Sequence, residues 1–210
     1  DLAILILPPK LALQAVADAI EKEIKGMVIV SAGFREVGPE GREMEDRIVT
    51  MCREADIRLV GPNCLGVINP LPAVGLNASF SGRMPKPGNI SFISQSGALC
   101  TAVLDFAADR DFGFSKFISI GNKADVDELD LLRYFHRDMD TEVIMIYLEE
   151  LRRGPEFIEE VKRITSGPPR LPAGAASSAA WLDRLTWCVW PVSTNRIPSI
   201  SASTSAAGTI

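Results

Sequence analysis

The sequence predicts an α/β fold, a parallel sheet wrapped by helices, and three observations support it. From Leu2 to Ser166 short β-branched runs alternate with segments of helical apolar spacing, the rhythm of successive βαβ units. Val28-Ile-Val30 and Val143-Ile-Met-Ile146 are continuous apolar runs, as parallel strands covered on both faces should be, so a doubly wound sheet is expected. A chain of 210 residues, 47% hydrophobic and 23% charged, is long enough to bury one large core or two small ones.

Leu2 to Leu7 reads as a buried strand. This apolar run stops at Pro8-Pro9, well short of the roughly 20 residues of a spanning helix, and it lacks the basic start of a signal peptide. A helix near Lys10 to Glu23 follows, then a strand at Met27 to Ser31, a helix near Pro39 to Ala55 and a strand at Arg58 to Gly61. Asn69 to Gly88 holds Pro70, Pro72, Pro85 and Pro87 with glycines and few aliphatic runs, which suits a crossing between two lobes. The boundary falls loosely at Met84. Strands resume at Ile90 to Ile93, Phe117 to Ile120 and Val143 to Leu148, separated by helices near Gly97 to Arg110 and Asp127 to Arg137; a last helix covers about Pro155 to Thr165.

The expected units are thus 1–84, 85–166 and a tail, 167–210. The tail turns abruptly to Ser, Ala, Thr and Pro, holds Trp181, Trp187 and Trp190, and breaks the rhythm where another strand is due. It reads either as a flexible tail or, preferably, as a coding sequence that has lost its frame.

A net charge of −5 leaves no basic surplus for nucleic acid or an anionic membrane, and both classes of partner are disfavoured. Cys52, Cys64, Cys100 and Cys188 are scattered without a CxxC pair, which gives neither a metal site nor a disulfide framework and fits a reducing cytoplasm.

Candidate chemistry gathers at strand ends. Ile90-Ser-Phe-Ile-Ser-Gln-Ser-Gly97 is a strand that turns through Ser94, Gln95, Ser96 and Gly97 into a helix. Unpaired N–H groups and the positive dipole end at such a start suit a phosphate, and an ordinary serine N-cap fits the same residues equally well. Gly61-Pro-Asn-Cys-Leu-Gly66 follows another strand, where open α/β sheets bind ligands; Asn63 offers polar contacts, and Cys64 reads as a small buried thiol rather than a nucleophile. Ser31-Ala32-Gly33 ends a third strand, with small residues that border a ligand or simply turn the chain. In Gly121-Asn-Lys-Ala-Asp125 and onward, Asp125 with Glu128 fits a capping box, while Asn122 and Lys123 suit the edge of a pocket. Glu149 and Glu150 end an apolar strand, where a carboxylate orients an imidazole or faces water. His136, the only histidine, reads as a helix C-terminal charge.

Taken together, Gly61-Pro-Asn-Cys-Leu-Gly66, Pro85-Lys-Pro-Gly-Asn-Ile90, Ser94-Gln-Ser-Gly97, Gly121-Asn-Lys-Ala-Asp125 and Tyr147-Leu-Glu149 resemble, in order and spacing, the ADP-forming acetate–CoA ligases, relatives of the succinyl-CoA synthetase α subunit. The resemblance implies the later part of a Rossmann-like CoA-binding domain followed by a flavodoxin-like domain, with the family's first strands and glycine-rich CoA loop lying before Asp1. It implies coenzyme A, a small acyl-CoA substrate, and an ATP-grasp β subunit or domain that handles ATP/ADP with Mg2+. Ser31, Ala32 and Gly33 would border CoA, with Asn63 and Cys64 near its thiol end. Ser94, Gln95, Ser96 and Gly97 would hold phosphate, and Glu149 would hydrogen-bond the histidine that carries the phosphoryl group. The family's histidine lies downstream in a Ser-His-Thr-Gly type loop, whereas Ala176-Ser-Ser-Ala-Ala-Trp181 offers none, so this chain alone is expected not to turn over. The rivals are a non-catalytic CoA-binding regulatory module, in which the missing histidine is tolerated, and a dinucleotide-binding domain. No G-x-G-x-x-G opens a helix to support the last.

Overall fold

The structure, a computed structural model, describes residues 1–110, 112–166 and 187–189. They form two sheets. The first is parallel, in the order β1 (Leu2–Leu5), β2 (Gly26–Ile29), β3 (Arg58–Val60). Helices α1 (Pro9–Glu21) and α2 (Pro39–Glu54) join these strands, each with proline in its first turn, where a missing N–H costs no intrahelical bond. Both lie on one face. Ala12, Val16, Ile48 and Cys52 pack there against Leu5, Met27, Ile29 and Leu59. On the opposite face Val60 packs into the core of the second sheet, while Ile4 is 42% exposed. The helices of this sheet therefore do not cover both faces as the sequence predicts.

The second sheet has the order β5 (Leu76–Ser79), β4 (Gly66–Asn69), β7 (Phe114–Ser119), β6 (Pro87–Ser94), β8 (Val143–Leu148), β9 (Trp187–Val189). Strands β7, β6, β8 and β9 are parallel. β4 runs antiparallel to both β5 and β7, so the sheet is mixed where the sequence predicts a parallel one. β4 and β5 fall within and just before the proline-rich stretch read as a crossing. Each is only four residues long and interrupted by Asn69, Asn77 and Ser79, a pattern too short and polar to stand out. They place the change of sheet at residues 61–65, upstream of Met84.

This second sheet is doubly covered. Helix α3 (Gly97–Ala108) sets Cys100, Leu104 and Ala107 against Phe92, Phe114 and Phe117, whose rings stack or meet edge to face at 4.8–6.4 Å. Burial of a ring such as Phe117 stabilises by roughly 2–3 kcal/mol. Helices α4 (Glu128–Arg137) and α5 (Gly154–Thr165) cover the other face through Leu132, Phe135 and Phe157. Chain connections leave β6 for β7 over one face and return to β8 over the other, which makes the carboxyl end of β6 the switch point of the sheet.

The capping box of α4 begins at Asp127, whose carboxylate accepts from Leu129 N and Asp130 N at 3.0 and 3.1 Å, while Asp130 reaches back to Asp127 N. The expected Asp125–Glu128 box is therefore displaced by two residues. Long-range pairing takes those two carboxylates elsewhere: Asp125 accepts from Arg58 Nε at 2.9 Å and Glu128 pairs with Lys123 at 2.9 Å. Among the described residues, no helix is long and apolar enough to cross a membrane. Of the tail, only Trp187–Val189 is described, paired in parallel with β8; the other residues of 167–210 lie outside the described residues.

Candidate functional site

The loops after β2, β3, β6, β7 and β8 meet at one end of the molecule, and hydrogen bonds chain them together. Asn63 N donates to Ser31 O at 2.9 Å, which ties the end of β3 to that of β2. Asn122 N and Ala124 N donate to Pro62 O and Gly61 O at 2.9 and 3.0 Å, bringing in the loop after β7. Leu65 N donates to Ser119 Oγ at 3.0 Å, and Ile120 N to Ser94 O at 2.8 Å. Gln95 N reaches Tyr147 O at 3.0 Å and so joins β8.

Glycine is needed where these loops touch. Gly121 has φ 50°, and a Cβ there would come within 2.3 Å of Pro62 O and Asn63 O. Gly61 has φ 95°, and its Cβ would sit 2.4 Å from Ile29 O. At Gly97 the nearest atom to an added Cβ is Leu65 N, 3.9 Å away, so the start of α3 lies against the loop that carries Asn63 and Cys64.

The predicted site residues divide by exposure and by what already occupies them. Ser31 is half-buried and its hydroxyl accepts from Leu7 N at 2.9 Å, while Ala32 and Asn63 are exposed. Asn63 stands at φ 55° and donates from Nδ2 to Asn122 Oδ1 at 3.3 Å. Gly33 N donates to Glu36 Oε1 at 2.5 Å. Cys64 is 4% exposed, its thiol donates to Ile29 O at 3.4 Å, and burial pushes its pKa up to about 12. A thiol so protonated is no nucleophile at neutral pH, in keeping with the sequence reading.

At the switch point, Ser96 is the N-cap of α3, its hydroxyl accepting from Leu99 N at 3.3 Å. Ser94 Oγ donates to Ser96 O at 2.9 Å and accepts from Ser96 N at 3.1 Å, which folds the turn tightly. The first N–H groups of α3, at Gly97 and Ala98, have no partner within the helix by its geometry. Gln95 Oε1 accepts from both Glu149 N and Glu150 N, at 3.0 and 3.2 Å, and so braces the end of β8. The Glu149 side chain is exposed and has no hydrogen bond or ion pair to a described residue.

Several residues that sequence reasoning missed, or assigned differently, hold this end together. Asn122, expected at a pocket edge, is 9% exposed; its Nδ2 donates to Glu36 at 2.6 Å and Glu45 at 2.9 Å, clasping the loop after β2 and helix α2. Lys123 is fully buried with φ 45°, donating to Glu128 at 2.9 Å and Glu150 O at 2.7 Å, so it is not a pocket-edge group. Partial burial raises the pKa of Glu36, but hydrogen bonds from Asn122, Gly33 and Phe34 outweigh it and hold the carboxyl below its usual range. The signal for these residues was weak, because lone carboxylates near a helix start look like solvated charges. His136 lies in the last turn of α4, about 12 Å along the helix from Glu128 and the strand ends.

Residues 1–70 match the CoA binding domain model, and residues 87–169 match that of the succinyl-CoA ligase like flavodoxin domain. The chain is 42% identical over 182 residues to acetate–CoA ligase [ADP-forming] I of Archaeoglobus fulgidus, covering 86% of this chain and 26% of that protein. It is 41% identical over 182 residues to the α subunit of acetate–CoA ligase [ADP-forming] II of Pyrococcus furiosus, covering 86% of this chain and 39% of that subunit. Among solved structures it resembles dinucleotide forming acetyl-coenzyme A synthetase 1 of Ca. Korarchaeum cryptofilum in complex with phosphate and ADP. The TM-score is 0.76 at 34% identity, over 91% of this chain and 37% of that one. The chain therefore spans between about a quarter and two fifths of the length of these relatives. With a CoA-binding domain followed by a succinyl-CoA ligase-like flavodoxin domain, it belongs to the family of the ADP-forming acetate–CoA ligases.

Proposed function

We propose that this chain is the CoA- and phosphate-handling part of an ADP-forming acid–CoA ligase. In that reaction phosphate attacks the thioester carbonyl of a small acyl-CoA, releasing CoA and leaving an acyl phosphate. A histidine nitrogen then takes the phosphoryl group and frees the acid, and an ATP-grasp partner with Mg2+ passes the group to ADP. The observation that carries this reading is the approach of Gly97 to Leu65, which sets the amide-rich start of α3 beside the loop bearing Asn63. A ligand bound there spans both sheets.

In this reading Ser31, Ala32 and Gly33 border CoA and Asn63 lies near its thiol end. Cys64, being buried, contributes main chain rather than its thiol. The turn Ser94–Gly97 leads into the start of α3, where the Gly97 and Ala98 amides and the helix dipole hold the phosphoryl oxygens. Glu149, with a fixed backbone and a carboxylate that has no partner among the described residues, accepts a hydrogen bond from the imidazole N–H that does not carry phosphate, which orients the ring. Buried free thiols at Cys52, Cys64 and Cys100 support placement in a reducing cytoplasm.

One observation favours a second reading, a non-catalytic CoA-binding regulatory module. The sole histidine of the sequence is His136, at the far end of α4 from Glu149. Calorimetric titration of the full chain with CoA tests both readings, since both expect saturable binding and its absence overturns both. ATP formation from ADP, phosphate and acyl-CoA is then assayed with an ATP-grasp partner added: turnover overturns the expectation that this chain is inactive. CoA binding without turnover supports a catalytically incomplete chain.

A further inference from the structure

Two carboxylates converge on one buried amide where the two sheets meet. Asn122, 9% exposed in the loop after β7, donates from Nδ2 to Glu36 Oε2 at 2.6 Å and to Glu45 Oε2 at 2.9 Å. Both hydrogens of that nitrogen are thereby used. The amide cannot be turned, because its oxygen would then face two anionic oxygens. Both acids are themselves held. Glu45, 1% exposed, has Arg35 Nε 2.5 Å from Oε1 and accepts from Arg35 N at Oε2, and Glu36 Oε1 accepts from Gly33 N and Phe34 N. The main chain of Asn122 is fixed as well, its N–H donating to Pro62 O at 2.9 Å and its carbonyl accepting from Arg152 Nη2 at 3.2 Å.

With Nδ2 committed to the acids, Asn122 Oδ1 is left to accept from Asn63 Nδ2 at 3.3 Å. That acceptor settles the second amide in turn. Asn63 keeps its nitrogen toward Asn122 and its oxygen away from it, and this oxygen, on an exposed residue, has no hydrogen bond to a described residue. Resting on the proposed reading that Asn63 lies near the thiol end of CoA, we infer that Asn122 is a positioning residue: directed by Glu36 and Glu45, it turns Asn63 so that the ligand group recognised there is a hydrogen-bond donor. In CoA that donor is the amide N–H nearest the thiol. The thiol S–H is lost on acylation, whereas this N–H is common to CoA and acyl-CoA, so a single contact serves both forms.

The probe is a CoA analogue with an ester in place of that amide, which exchanges the N–H for an oxygen and keeps the carbonyl. In calorimetric titration of the full chain, CoA is expected to bind roughly tenfold more tightly than the ester, the scale of a lost hydrogen bond. Asn122→Ala frees Asn63 to turn its nitrogen outward, and the preference for the amide is expected to vanish. Aspartate carries oxygen at both ends and needs no turning. Adding Asn63→Asp to Asn122→Ala should therefore restore the preference, whatever it does to overall affinity, and a general loosening of the loop would not be repaired in this way. Asn63→Leu, at an exposed position, should abolish the preference and tests the acceptor even where Asn122→Ala does not fold. The side-chain NH2 resonances of Asn63 report without ligand: the proton bonded to Asn122 should shift in Asn122→Ala.

A parent chain that binds CoA and the ester within about twofold of each other overturns the inference and leaves the proposed function standing. A preference that survives Asn122→Ala or Asn63→Leu, or that Asn63→Asp fails to restore, overturns it too. A parent that binds no CoA sinks the proposed function, and the resonances then judge the positioning by themselves: unchanged Asn63 NH2 signals in Asn122→Ala overturn it.

Discussion

Replacing Lys123 by methionine removes the cation that closes the end of β8 against the loop after β7. Its Nζ lies 2.9 Å from Glu128 Oε2 and 2.7 Å from Glu150 O, and the two side chains of the pair are 0% and 2% exposed. Methionine fills similar volume and shares the same left-handed backbone at φ 45°, so backbone strain largely cancels in the comparison. What remains is an uncompensated buried carboxylate at Glu128, for which breaking one partner of a buried pair costs about 3–5 kcal/mol. At roughly 2–4 °C per kcal/mol for a chain of this size, the melting temperature should fall by about 6–20 °C. Adding Glu128→Leu removes the stranded charge and leaves only Glu150 O without its donor, so the double variant should cost about 1–3 kcal/mol. Urea unfolding followed by circular dichroism gives both values. A single variant within about 1 kcal/mol of the parent, or a double variant less stable than the single, refutes the reasoning.

Three further outcomes are expected. The folded pKa of Glu36 is below its ordinary 4.5, so its contribution is complete above that value and is lost as pH falls through the depressed one. Glu36→Gln should flatten that part of the acid limb in a pH series of urea midpoints, and an unchanged limb speaks against the clasp with Asn122. Gly121→Ala places a Cβ about 2.3 Å from two carbonyl oxygens and should destabilise by roughly 2–4 kcal/mol in thermal unfolding; on the proposed reading that Asn63 lies near the thiol end of CoA, CoA binding should weaken as well. Iodoacetamide at neutral pH should leave Cys64 unmodified in the native chain and label it in urea, as read by peptide mass spectrometry, because its thiol titrates near 12; rapid native labelling contradicts its burial.

The switch-point turn was legible because its signals are local. A strand running into Ser94-Gln-Ser-Gly97 marks a helix start whatever the remainder of the chain does, and Ser96 is indeed the N-cap. The α4 cap was legible only to within two residues, since Asp125 and Asp127 are equally good caps by type. The choice was made by Arg58, 67 positions away from Asp125. β4 and β5 were missed because an antiparallel hairpin at a sheet edge tolerates Asn and Ser, which blunts the alternation that betrays a strand. Least legible were the side chains that assemble the site. Asn122 meets Glu36 across 86 positions and Gln95 meets Glu149 across 54, and no local pattern announces which of many polar residues will be drawn inward.

Only residues 61–65 separate the last strand of the first sheet from the first strand of the second. So brief a bridge forms one rim of the candidate site and is also the covalent link between the two sheets, so length cannot vary there without disturbing both. The link between β4 and β5, residues 70–75, carries no such double duty. Chains of this kind should accept inserted residues in the second stretch and reject them in the first.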